Sequence, residues 1–242
     1  MTHETGTEFV EGYRRNEALL NEAGIDTTEH DACGVGLVAA LDGKPSRAVV
    51  SAGIAALKAV WHRGAVDADG KTGDGAGIHL EISQEFFEEA VRLGGDTLKP
   101  GPIAVGQVFL PKTDFGAQER CRQIVETEIL AMGYAIYGWR QVPINATVIG
   151  EKANATRPEI EQILISNAKG LDEETFEREL YVIRRRIEKA GLGIRDFYIC
   201  SMSCRSIIYK GMMLAEEVAT FYPDLLDPRF ESAFAIYHQR YS

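Results

Sequence analysis

The run Cys33-Gly34-Val35-Gly36-Leu37-Val38-Ala39-Ala40-Leu41 carries no charge, and it constrains the fold more than any other stretch. Nine such residues in a row read as a buried strand, with Gly34 and Gly36 keeping its backbone close to whatever lies beside it. The chain before it differs in kind. Residues 1–32 hold eight acidic and two basic side chains, a net of −6, whereas the other 210 residues share only −4 of the total of −10. Residues 1–32 therefore form a distinct acidic leader. Composition leaves two readings of Cys33 open. It is either a small thiol opening a core strand, or a nucleophile that becomes the N-terminal residue once the leader is removed.

After Leu41 the punctuation is regular. Asp42-Gly43-Lys44-Pro45 is a turn, Ser46 suits an N-cap, and Val49, Ile54, Leu57, Val60 and Trp61 make one apolar face of a helix over 48–61. His62-Arg63-Gly64 ends it, with cations in the last turn and Gly64 in the left-handed C-terminal role. A Gly- and Asp-rich loop runs over 65–77, and Ile78-His79-Leu80-Glu81-Ile82 alternates as a half-buried strand. Ser83 is placed to cap a helix over 84–93, Asp114 one reaching about Met132, and Asp172 one ending at Gly191. Strands are expected over 103–110, 134–142 and, more weakly, 160–165. Residues 197–202 and 206–209 read as a hairpin, and 233–241 as a last strand. A short helix is expected over 9–23. Strands and helices mix without a βαβ rhythm, which favours an α+β domain over a doubly wound one.

Several functions are excluded. A pI of about 5.1 carries no nucleic-acid footprint. No run approaches the roughly 18 apolar residues of a membrane span, and the polar N-terminus lacks a secretory pattern. Cys33, Cys121, Cys200 and Cys204 form no disulfide framework, which points to reduced thiols in a cytoplasmic setting. Cys200 and Cys204 alone do not make a zinc site. Gly64 to Thr72 has the wrong spacing for a phosphate loop and follows a helix rather than a strand. In the Asp67-Asp69-Gly70 segment the glycine falls too early for a calcium loop. Gly73-Asp74-Gly75-Ala76-Gly77 reads as a tight turn, or as backbone approaching a ligand. Asp224, Asp227 and Arg229 are expected to decorate a solvated loop.

Three segments remain: Cys33-Gly34-Val35-Gly36, Trp61-His62-Arg63-Gly64-Ala65 and His238-Gln239-Arg240-Tyr241-Ser242. Together they resemble the glutaminase domain of the class II glutamine amidotransferases. The longer segments His30 to Gly36, Ala56 to Ala65, Thr72 to Gly77, Phe197 to Ser201 and Tyr209 to Met212 are similar to the start of the large subunit of bacterial glutamate synthases. The likeness covers essentially the whole chain.

The resemblance implies an N-terminal nucleophile hydrolase: an α+β, four-layer αββα sandwich, C-terminally incomplete, with residues 1–32 as propeptide and 33–242 as the amidotransferase domain. It implies that Cys33, freed by removal of the leader, uses its own α-amino group as the base for its thiol. The thiolate would attack the side-chain amide of L-glutamine and form a thioester. Arg63 and Gly64 would line the glutamine pocket, Arg240 would grip the α-carboxylate, and Tyr241 and Ser242 would continue that segment. The family's oxyanion-hole element lies beyond Ser242, so the 242-residue chain by itself is expected to be a weak or inactive glutaminase. FMN and an iron–sulfur cluster would belong to downstream synthase domains, with no cofactor in this chain and a pyridine-nucleotide-oxidising small subunit as partner. The alternatives are the glutaminase domain of another class II amidotransferase, and a truncated module that does not turn over.

Overall fold

The computed structural model describes residues 6–24 and 34–240, which fall in two compact units. The first contributes helix α1 (Gly6–Glu22), where a helix over 9–23 is expected, and Leu19 and Leu20 on it are exposed.

The second unit begins at β1 (Gly34–Ala39), followed by α2 (Arg47–Ala59), a 3₁₀ turn at Trp61–Arg63, β2 (Ala76–Glu81) and α3 (Gln84–Leu93). Then come β3 (Ile103–Leu110), α4 (Phe115–Ala131), β4 (Ala135–Gln141), α5 (Glu151–Thr156), β5 (Glu159–Ser166) and α6 (Glu173–Ala190). The unit closes with β6 (Tyr198–Ser203), β7 (Ser206–Gly211), α7 (Val218–Phe221) and β8 (Phe234–Gln239). The strands form two four-stranded sheets, in the orders β1-β8-β2-β7 and β4-β5-β3-β6. Every pairing is antiparallel, so the architecture is α+β.

The helices form where caps and apolar periodicity agree. Side-chain oxygens of Ser46, Asp114 and Asp172 accept from the N–H three residues on, at 3.4, 2.8 and 3.0 Å. Cys121, Val125 and Ile129 on α4, and Phe176, Leu180, Ile183 and Ile187 on α6, each form one buried stripe. They pack on one face of the second sheet, through Ala104, Val108, Leu110, Ile163 and Ile165. The opposite face, with Ile103, Val105, Ile160 and Leu164, joins a second core shared with α2, α3, β2 and β7. Strand β5, the weaker one by its sequence pattern, is thus buried on both sides and paired on both edges.

Four expectations need correcting. Strand β1 is not buried on both faces: Val35 and Leu37 are 68% and 64% exposed, because only the alternate residues turn towards α2. Strands β6 and β7 belong to different sheets, since the short link at Cys204-Arg205 lets them diverge instead of forming a ladder. The Ser83 hydroxyl makes no cap but donates to the Arg229 carbonyl at 2.7 Å. Asp224 is buried rather than solvated. It takes two hydrogen bonds from Arg140, at 2.7 and 2.8 Å, and one from the Tyr209 hydroxyl at 3.0 Å. The same arginine donates to Gln162, whose amide donates to Gln107. Asp227 and Arg229 pair with each other nearer the surface.

His79 in β2 stacks edge-on against Phe234, with ring centroids 5.5 Å apart, and burial lowers its pKa. The unfolded imidazole regains its ordinary value of about 6.5. Between the two values the unfolded chain holds more protons, so stability rises with pH across that window. Unfolding midpoints are therefore expected to fall as the pH drops below about 6.5. The His79→Gln protein should show a shallower fall in urea titrations between pH 5 and 8. An unchanged slope would remove His79 from this account.

Candidate functional site

Three pieces of backbone meet at the Gly34 end of β1. The first is the end of α2, which runs into Val60 as C-cap and then the turn Trp61–Arg63. The Arg63 stem lies against Gly34, where a Cβ would come within 3.3 Å of the arginine Cβ and Cγ. Gly64 follows in extended conformation, φ −93°, not in the left-handed one expected of a helix-ending glycine. Its lack of a side chain serves a contact instead. A methyl there would overlap the Gln239 amide and approach Asp74 Oδ1 to 3.2 Å.

The second piece is the loop from Ala65 to Gly75, which doubles back on itself. Val66 bridges Gly73, and Asp67 N–H donates to the Thr72 carbonyl at 2.9 Å. Asp69 accepts from the Thr72 hydroxyl and from the N–H groups of Thr72 and Lys71, which hold its carboxyl at about 2. Asp67 pairs with Lys152. Both carboxylates are therefore committed to closing the loop. The closed loop delivers Asp74 beside Gly64. It also seats Gly73 against the Met213 carbonyl and Leu214 nitrogen, where no Cβ fits.

The third piece is the end of β8. Gln239 is buried, 1% exposed, and its amide lies 3.4 Å from Asp74 Oδ1. Arg240 has φ +84°, an uncommon value for a residue with a side chain. Its N–H donates to the Gly75 carbonyl at 2.7 Å, and its Nε stands 3.6 Å from Asp74 Oδ2. Two buried oxygens here, Asp74 Oδ2 and Gln239 Oε1, have no hydrogen-bond partner.

Among the expected site residues, Arg63, Gly64 and Arg240 thus meet the same small cluster. Cys33, Tyr241 and Ser242 lie outside the described residues. Asp74 and Gln239 were missed. The available signal was a lone carboxylate set between two glycines, read only as backbone. Chemically the cluster offers the Arg240 guanidinium with an acidic partner, the Arg63 stem and backbone bared by glycine, a set suited to an anionic group such as a carboxylate. A separate apolar cavity of about 350 Å³ is lined by Phe109, Ile160, Tyr198, Phe221 and His238 and includes none of the expected site residues.

The family profile described as class-II glutamine amidotransferases matches residues 33–242. The chain is 67% identical over 241 residues to the glutamate synthase [NADPH] large chain of Azospirillum brasilense, covering 98% of this chain and 16% of that one. It is 40% identical over 228 residues to ferredoxin-dependent glutamate synthase 2 of Synechocystis, covering 94% and 14%. It is also 40% identical over 221 residues to the glutamate synthase [NADPH] large chain of Bacillus subtilis, covering 88% and 14%. The chain therefore spans about a seventh of the length of these relatives.

Proposed function

The chain belongs to the class II glutamine amidotransferases, and from that premise we propose that it is the glutamine-hydrolysing part of a glutamate synthase. The observation that carries this reading is the meeting of Arg63, Gly64 and Arg240 at the head of β1, directly after Cys33 in the chain. Removal of the acidic leader, residues 1–32, gives Cys33 a free α-amino group of ordinary pKa about 7.7–8.0, able to take the thiol proton near neutral pH. The thiolate sulfur bonds to the δ-carbon of glutamine, and the C–N bond breaks as ammonia leaves with that proton. Water then cleaves the thioester to glutamate and restores the thiol. Arg240 pairs with the α-carboxylate, Arg63 and Gly64 line the pocket, and Tyr241 and Ser242 extend its wall.

In this reading, ammonia passes to downstream synthase domains, where 2-oxoglutarate is reductively aminated in the cytoplasm. A pyridine-nucleotide-oxidising small subunit supplies electrons. FMN and an iron–sulfur cluster belong to those domains in this reading, while the three described thiols of this chain are buried within its own fold. Cys200 donates to the Ile208 carbonyl, Cys204 to Glu177, and Cys121 is buried on α4.

The fold we infer is the four-layer αββα sandwich of N-terminal nucleophile hydrolases. Supporting it, Ile103, Val105, Ile160 and Leu164 of the second sheet share one core with Ile78, Leu80, Ile207 and Tyr209 of the first, and α4 and α6 cover the second sheet's other face.

Two measurements on the full-length protein carrying this segment test the function. Intact mass should show an N-terminus at Cys33, and glutamine should be converted to glutamate when 2-oxoglutarate is absent or present. Material that keeps Met1 or Thr2 and leaves glutamine untouched would overturn the reading.

A further inference from the structure

Arg240 is held from two directions by one loop. Its backbone N–H donates to the Gly75 carbonyl at 2.7 Å, and its side-chain Nε faces Asp74 Oδ2 at 3.6 Å. Gly75 itself has φ +124°, and Gly73 is closed against the Met213 carbonyl, so the Gly73-Asp74-Gly75 backbone has little room to shift. Asp74 Oδ2 is buried without a hydrogen bond, an orphaned acceptor for which the nearby guanidinium is the available charge.

The geometry points to Asp74 as the positioning residue that sets substrate specificity at this site. Its carboxylate stands 3.6 Å from the Nε edge of Arg240, which leaves the two terminal nitrogens for a substrate α-carboxylate. This deepens the glutaminase reading and rests on it. A guanidinium has five donors in a fixed plane, so fixing one edge aims the other. The left-handed backbone at Arg240 fits the same purpose, since strained positions persist where their surroundings over-determine them. The Gly-Asp-Gly loop is thus a clamp for the arginine that grips the substrate. Asp74 touches no reacting atom, so its loss weakens the grip on substrate and leaves the bond-breaking steps in place.

The test uses the full-length protein. Asp74→Asn keeps the shape and removes the charge. It is expected to raise KM for glutamine about tenfold to a hundredfold, the range for losing one charge-assisted hydrogen bond between a misaimed Arg240 and the substrate α-carboxylate, with kcat changed less than about threefold. The preference for glutamine over its α-carboxamide analogue, which lacks the anionic group, should shrink by the same factor. In an Arg240→Gln background, Asp74→Asn should add almost nothing, because both changes break one interaction. A merely structural aspartate would not produce that pattern. An unchanged KM, an additive double mutant, a loss confined to kcat, or an Asp74→Asn protein that fails to fold would each overturn the inference. A wild-type protein without glutamine turnover would instead overturn the glutaminase reading itself.

Discussion

Cys33→Ala in the full-length protein is expected to lower glutamine hydrolysis on the order of 10³-fold or more while leaving the unfolding midpoint almost unchanged. The size follows from the chemistry: without the thiol no thioester forms, and binding and polarisation alone return only a residual rate. The other described thiols do not substitute. Burial pushes Cys121 up to about 11 and Cys200 up to about 12, and burial with the Glu177 carboxylate beside it raises Cys204 further. None of them presents a thiolate near neutral pH. A glutamine-mimicking electrophile should therefore label one site in the mature protein and none in Cys33→Ala. Labelling that survives the substitution, or turnover within tenfold of wild type, would show that another group does the chemistry. Protein retaining residues 1–32 should behave like the alanine variant, because a peptide-bonded Cys33 has no free amine to serve as base.

Asp224→Ala should cost about 3–5 kcal/mol of stability, the range found when one partner of a buried ion pair is removed. Asp224 and Arg140 have side-chain exposures of 3% and 21% and share two hydrogen bonds. Tyr209, wholly buried, donates its hydroxyl to the same carboxylate. Deleting the carboxylate leaves the guanidinium without its counter-charge and the hydroxyl without an acceptor. The Arg140 guanidinium also lies 5.2 Å from the Phe86 ring, a contact too weak to replace the pair. Urea unfolding of the single variant measures the loss, and a value under about 1 kcal/mol would mean that the network is wetter than its geometry. The double replacement Arg140→Met with Asp224→Leu should recover much of the loss, since well-packed apolar groups often match a buried pair.

The helices were legible in the sequence because the signals that form them are local. Ser46, Asp114 and Asp172 sit where a capping oxygen reaches the third N–H, and α3 matches its expected span. The strand Ile103–Leu110 was equally plain. Partnerships were not legible. The sequence of β5 carries Glu161 and Gln162 in its middle, which weakens its apolar pattern, yet Glu161 pairs with Arg122 and Gln162 joins the buried network. Likewise, the exposed face of β1 is invisible in a run whose residues are apolar on both sides. At the site, the motif segments pointed to Arg63, Gly64 and Arg240. Asp74 needs its loop closed before it stands beside Arg240, and that closure depends on Thr72, Asp69 and the distant Lys152.

The position of β8 also fixes an order of assembly during synthesis. It is the last described strand, yet it lies between β1 and β2, and β1 has no other ladder partner among the described residues. Until it emerges, β1 waits for a strand made roughly two hundred residues later, at the entropic disadvantage of closing so long a loop. All four described strands of the second sheet are made by Ser203, so it can form while the first is still open. Phe234–Gln239 then acts as a keystone, and its insertion brings Gln239 and Arg240 to the end of β1. The cluster beside Gly34 thus comes together only when the first sheet closes, so a nascent chain has no assembled site until then.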